Sequence, residues 1–98
     1  MSVLAELSIF PMDQGISLSP FVSRAVTIIR DSGLAYRLGP MGTSFEGDWE
    51  KVMSVVDQCY RELSRDSNRV YLVLKIDAYK GRDGLLEEKV ESVQEKLP

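Results

Sequence analysis

Residues 3–10 alternate, with Val3, Ala5, Leu7 and Ile9 on one side of an extended chain and Leu4, Glu6, Ser8 and Phe10 on the other. That pattern predicts a first strand with one core face. Pro11 and Gly15 break it, and Ser19-Pro20 signals a helix start, since a serine hydroxyl caps free N–H groups and proline suits the first helical position. Phe21, Val22, Ala25, Val26, Ile28 and Ile29 follow at helical spacing until Gly33, which predicts a helix over residues 20–32.

Leu34, Tyr36 and Leu38 then alternate with Ala35 and Arg37 as a second strand, which bends at Pro40 into a third through Thr43 and Phe45. Asp48 is placed to cap a second helix, whose stripe of Trp49, Val52, Met53, Val56, Cys59, Tyr60 and Leu63 runs in steps of three and four. Residues 69–79 alternate again as a fourth strand. After a polar link, Leu86, Val90, Val93 and Leu97 recur at helical spacing in a Glu/Lys-rich background, predicting a short terminal helix. No internal repeat or long linker divides the chain, so residues 1–98 are expected to form a single domain.

The order β-α-β-β-α-β followed by a helix leads, with right-handed crossovers, to an α+β, ferredoxin-like antiparallel sheet with two helices on one face. Strands one and four become antiparallel neighbours, so Glu6 and Lys75 are expected to pair across them. The face away from the helices then carries Leu4, Phe10, Tyr71, Val73 and Tyr79 among its polar residues. It is too apolar for an ordinary solvated surface, which predicts a homo-oligomer.

Composition narrows the function. Twelve basic residues against 15 acidic ones give a net charge of -3, which disfavours nucleic acid as a partner. The absence of histidine removes the usual general base and the commonest zinc ligand, and no tight carboxylate spacing points to a metal. Catalysis, metal sites and resident cofactors are therefore not expected. A loop after the first strand without arginine, and Asn68 as the single asparagine, argue against an acylphosphatase-like reaction. The lone Cys59 reads as a buried thiol and Trp49 as a core anchor. No apolar run reaches membrane-spanning length, and the chain is expected to be cytoplasmic with no membrane partner.

Glycine, proline, a hydroxyl, a carboxylate and aromatics concentrate in residues 36–49. Gly39, Gly42 and Gly47 permit either unusual backbone angles or close backbone approach, to a ligand or to a packed helix.

The blocks Ala5-Glu-Leu-Ser-Ile-Phe-Pro11, Ser17-Leu-Ser-Pro20, Ser32-Gly-Leu-Ala-Tyr36, Pro40-Met-Gly-Thr43 with Glu46-Gly47, Arg69-Val70, Lys75-Ile-Asp77 and Lys89-Val-Glu-Ser-Val93 occur in one order along the chain. In this the sequence resembles the thiamine-binding-protein-like family nearly end to end. The resemblance implies a ferredoxin-like subunit, sheets joined edge to edge in dimers, and often a dimer of dimers. It also implies a small-molecule ligand, thiamine or its hydroxymethylpyrimidine part. The ligand-binding residues on this reading are Ser17, Leu18 and Ser19 as a closing loop, with Met41, Gly42, Thr43, Phe45 and Glu46 at the bend. Thr43 and Glu46 supply hydrogen bonds, while Met41 and Phe45 or Trp49 cover the ring. Thr43 equally suits a strand and Glu46 the start of a helix. The chain departs from the family pattern near Tyr60, where a histidine is absent. A structural or regulatory oligomeric subunit without such a ligand is the alternative, and a small Glu/Asp acid-base enzyme the remote one.

Overall fold

The computed structural model describes residues 2–98. Its elements are β1 (Val3–Pro11), α1 (Ser19–Asp31), β2 (Ala35–Leu38), β3 (Thr43–Gly47), α2 (Trp49–Ser64), β4 (Val70–Asp77) and α3 (Leu85–Gln94). The four strands form one antiparallel sheet in the order β2-β3-β1-β4, so the fold is the expected ferredoxin-like α+β arrangement.

The core lies between the sheet and the two long helices. Val3, Ala5, Leu7 and Ile9 of β1 meet Ala25 and Ile29 of α1 and Val52, Val56, Cys59 and Leu63 of α2, with Phe45 of β3 fully enclosed. The Cys59 thiol donates to the Ala25 carbonyl at 3.5 Å, and burial pushes its pKa up to about 12. Glu6 and Lys75 are register partners and their charged groups meet at 3.2 Å, as the pattern required.

In the two long helices the ends follow their residues except at the start of α1. The Asp48 carboxylate accepts from the Lys51 N–H at 2.9 Å, and Gly33, at φ 81, leaves the helical path after α1. The start of α1 differs from expectation, because Ser19 is already helical and the N-cap is Leu18, which has no side-chain cap bond.

Trp49 also departs from expectation. It is 51% exposed, because as the first residue of α2 it precedes the turn in which Val52 reaches the core. The bend glycines Gly39, Gly42 and Gly47 do not adopt positive φ. They serve close approach: a β-carbon would meet the Gly42 oxygen at 2.9 Å from position 39, the Leu7 oxygen at 3.2 Å from position 42 and the Leu34 side chain at 2.7 Å from position 47.

The third helix crosses one end of the sheet face opposite α1 and α2. Leu85 and Leu86 are buried, Lys89 pairs with Asp77 at 2.8 Å and Glu87 with Arg37 at 2.6 Å. Beyond this end, Phe10 stacks on Tyr71 with ring centroids 5.4 Å apart, and Tyr71 and Val73 stay about half exposed.

Candidate functional site

Strand β1 outruns its neighbour. The β1–β3 ladder ends where Leu7 pairs with Thr43, whereas β1 continues to Pro11 along β4. Past Thr43 the β2–β3 hairpin turns back, closed by the Gly39 N–H donating to the Gly42 carbonyl at 2.8 Å. A strand-wide gap therefore opens beside Ser8–Phe10, and the inward side of α1 roofs it.

The gap is a cavity of about 290 Å³. Its roof is Leu18, Val22, Ala25, Val26 and Ile29, the inward stripe of α1. The floor is Leu7, Ile9 and Thr43, with Ser8 and Phe10 along the strand edge, and residues 38–42 form the rim. At the rim the backbone packs closely, a β-carbon at position 42 meeting the Leu7 oxygen at 3.2 Å. Volume and lining agree with small-ligand sites, which begin at about 300 Å³ and are mostly apolar with few polar groups.

Thr43 is the polar feature of the floor. It is 3% exposed, and its hydroxyl makes no hydrogen bond among the described residues. Since no fully enclosed side-chain oxygen or nitrogen there lacks a partner, the Thr43 oxygen must reach open space, and the space it borders is this cavity. An unpaired hydroxyl in apolar walls is a directed donor and acceptor for a ligand.

The cavity brings together Leu18, Met41, Gly42 and Thr43 of the residues expected at the site. Met41 stands at the rim, 87% exposed. Ser19 lies in a groove adjoining the cavity across Val22, Val26 and Leu38, while Ser17 is exposed and outside the lining. Phe45 sits in the core, two register positions beyond Thr43. Glu46 is on the opposite face of the sheet: its carboxylate accepts from the N–H groups of Leu85 at 2.9 Å and Leu86 at 3.3 Å and from the Ser2 hydroxyl at 3.0 Å. Tyr60 is outside the lining too.

Sequence reasoning treated Ile9, Val22 and Val26 as ordinary core. Only the unequal lengths of β1 and β3 expose them to a cavity, and that inequality is a matter of register. Among the described residues no group of three or more Cys, Asp or Glu side chains is gathered as a metal ion would require, and no titratable side chain lines the cavity.

A sequence model of the family described as thiamine-binding protein matches residues 5–94. A UPF0045 protein of Methanothermobacter thermautotrophicus is 37% identical over 98 residues, covering 97% of this chain and 99% of that protein. Among solved structures, a hypothetical protein of Methanocaldococcus jannaschii superposes with a TM-score of 0.89 at 31% identity, covering 96% of this chain and 97% of the other. A Thermotoga maritima protein described as a candidate thiamine biosynthesis/salvage protein gives a TM-score of 0.84 at 30% identity, covering 95% of this chain and 99% of its own.

Proposed function

The chain belongs to the thiamine-binding protein family, and from that premise we propose that it binds thiamine, or the hydroxymethylpyrimidine part of thiamine, in the cavity between α1 and the Gly39–Gly42 bend. The observation that carries this reading is the Thr43 hydroxyl, without a hydrogen bond among the described residues and bordering a mostly apolar cavity. A flat aminopyrimidine fits such a place: its faces meet Val22, Val26 and Leu7, and a polar substituent of the ring meets the hydroxyl. At about 290 Å³ the space takes one ring, and the cationic thiazolium extends past the rim, where Met41 offers a polarizable sulfur.

The role is binding rather than catalysis. A cavity lined by aliphatic side chains, phenylalanine, methionine, glycine, proline, serine and threonine supplies no group poised to exchange protons near neutral pH. The protein acts as a homo-oligomer, a dimer of dimers, and the sheet face of Phe10, Tyr71 and Val73 left open by α3 supports association.

Calorimetric titration with thiamine and with hydroxymethylpyrimidine tests the reading. Saturable binding is expected, and Thr43→Val, which keeps the shape but loses the hydroxyl, weakens it by about 1–3 kcal/mol. Absence of heat and of any thermal-melting shift at millimolar concentrations of both ligands would reject it.

A further inference from the structure

We infer that the cavity reads its ligand through the open main-chain edge of β1 at Ile9: the Ile9 N–H donates to a ring nitrogen and the Ile9 carbonyl accepts from the adjacent exocyclic amino group. This rests on the proposed ligand class and specifies how it is recognised.

Three observations fix which way Ile9 faces. The Met12 N–H donates to the Arg69 carbonyl at 2.8 Å, so in the continuous β1–β4 register Phe10 and Ser8 also turn their main-chain groups toward β4. Alternation turns those of Leu7, Ile9 and Pro11 the other way, toward β3. The Leu7 oxygen does lie on that side, where it would sit 3.2 Å from a β-carbon at position 42. Pro11, which has no N–H to offer, occupies the same parity, as a proline in a strand must when that side has no ladder partner.

Leu7 is paired with Thr43, but the position that would face Ile9 belongs to the bend, and no bend residue hydrogen-bonds to the Ile9 main chain. Ile9 is thus a strand residue with its donor and acceptor directed, side by side, into an apolar cavity. An unmet pair of this kind needs a partner. The cavity is too small for a further strand and is bounded on one side by the Gly39–Gly42 turn. What fits is a planar ring presenting an acceptor and a donor on neighbouring atoms, the edge of an aminopyrimidine. Thr43, across the gap, remains free for another polar substituent.

The test uses amide hydrogen exchange on the full chain together with two ligands. In the free protein the Ile9 amide is expected to exchange faster than those of Leu7 and Phe10, which are bonded in ladders, and saturating hydroxymethylpyrimidine slows it by about tenfold or more. The oxo analogue, in which a ring N–H and a carbonyl replace the ring nitrogen and amino group, reverses both hydrogen bonds and binds roughly tenfold or more weakly. An Ile9 amide already as protected as Leu7 in the free protein, or unchanged by bound hydroxymethylpyrimidine, overturns the inference, as does an oxo analogue of equal affinity. In those cases the binding function stands. If neither compound binds, the function and the edge contact fail together.

Discussion

The Glu46 carboxylate caps the third helix, accepting the Leu85 N–H at 2.9 Å on the sheet face that the helix covers. Negative charge at a helix N-terminus is favourable and meets N–H groups that would otherwise lack partners. Glu46→Ala should therefore lower stability by about 0.5–2 kcal/mol in urea denaturation, with α3 amides losing exchange protection, and change ligand affinity less than about twofold. Glu46→Gln, which keeps an acceptor oxygen, should cost less.

Between the long helices, Arg24 binds Glu62 at 2.8 Å and Asp66 at 2.9 Å. The hydrogen bonds from Arg24 hold the Glu62 carboxyl below its ordinary 4.5, and the bond from Ser67 likewise holds Asp13 below 3.8. A carboxyl depressed in the folded state contributes stability that is complete above its unfolded value and disappears as pH falls through the folded one. The melting temperature should thus decline below about pH 4.5. Glu62→Gln should be less stable than the parent at neutral pH, with the gap narrowing in acid.

Cys59 is wholly enclosed, and its thiol is pushed up to about 12. Alkylating reagents should leave it untouched in the native protein and label it on unfolding. Cys59→Ala should cost about 1–2 kcal/mol through the space it leaves, with ligand affinity unaltered.

Val73 is 46% exposed in the open part of the sheet face, beside Tyr71 and Phe10. If that face joins subunits, Val73→Asp places an unpaired charge in the contact. Light scattering should report an oligomer for the parent and a smaller species for the variant. A parent that is monomeric at micromolar concentration contradicts the proposed assembly.

Local patterning carried most of the fold, because strand alternation and the helical stripes of α1 and α2 are set by which residues must avoid water. Glu6–Lys75 pairing followed from topology alone. Of the residues expected at the site, only Leu18 and the Met41–Thr43 bend line the candidate cavity. Phe45 and Glu46 lie two and three residues past Thr43, and that distance carries one into the core and turns the other to the opposite face. Their chemistry suited a ligand, but where the β1–β3 ladder stops decides what is available to one, and no single segment encodes it. Trp49 misled for a related reason: it matches the apolar period of α2 yet sits at its first position, short of the core.

The cavity itself is tested most directly by intermolecular nuclear Overhauser effects between hydroxymethylpyrimidine and the methyl groups of the protein. Contacts from the ligand methyl to Leu18, Val22, Val26 and the Thr43 methyl are predicted, since these side chains enclose the proposed ring position. Contacts confined to Val73 and the open sheet face, or to residues of α2 remote from Thr43, would contradict the account.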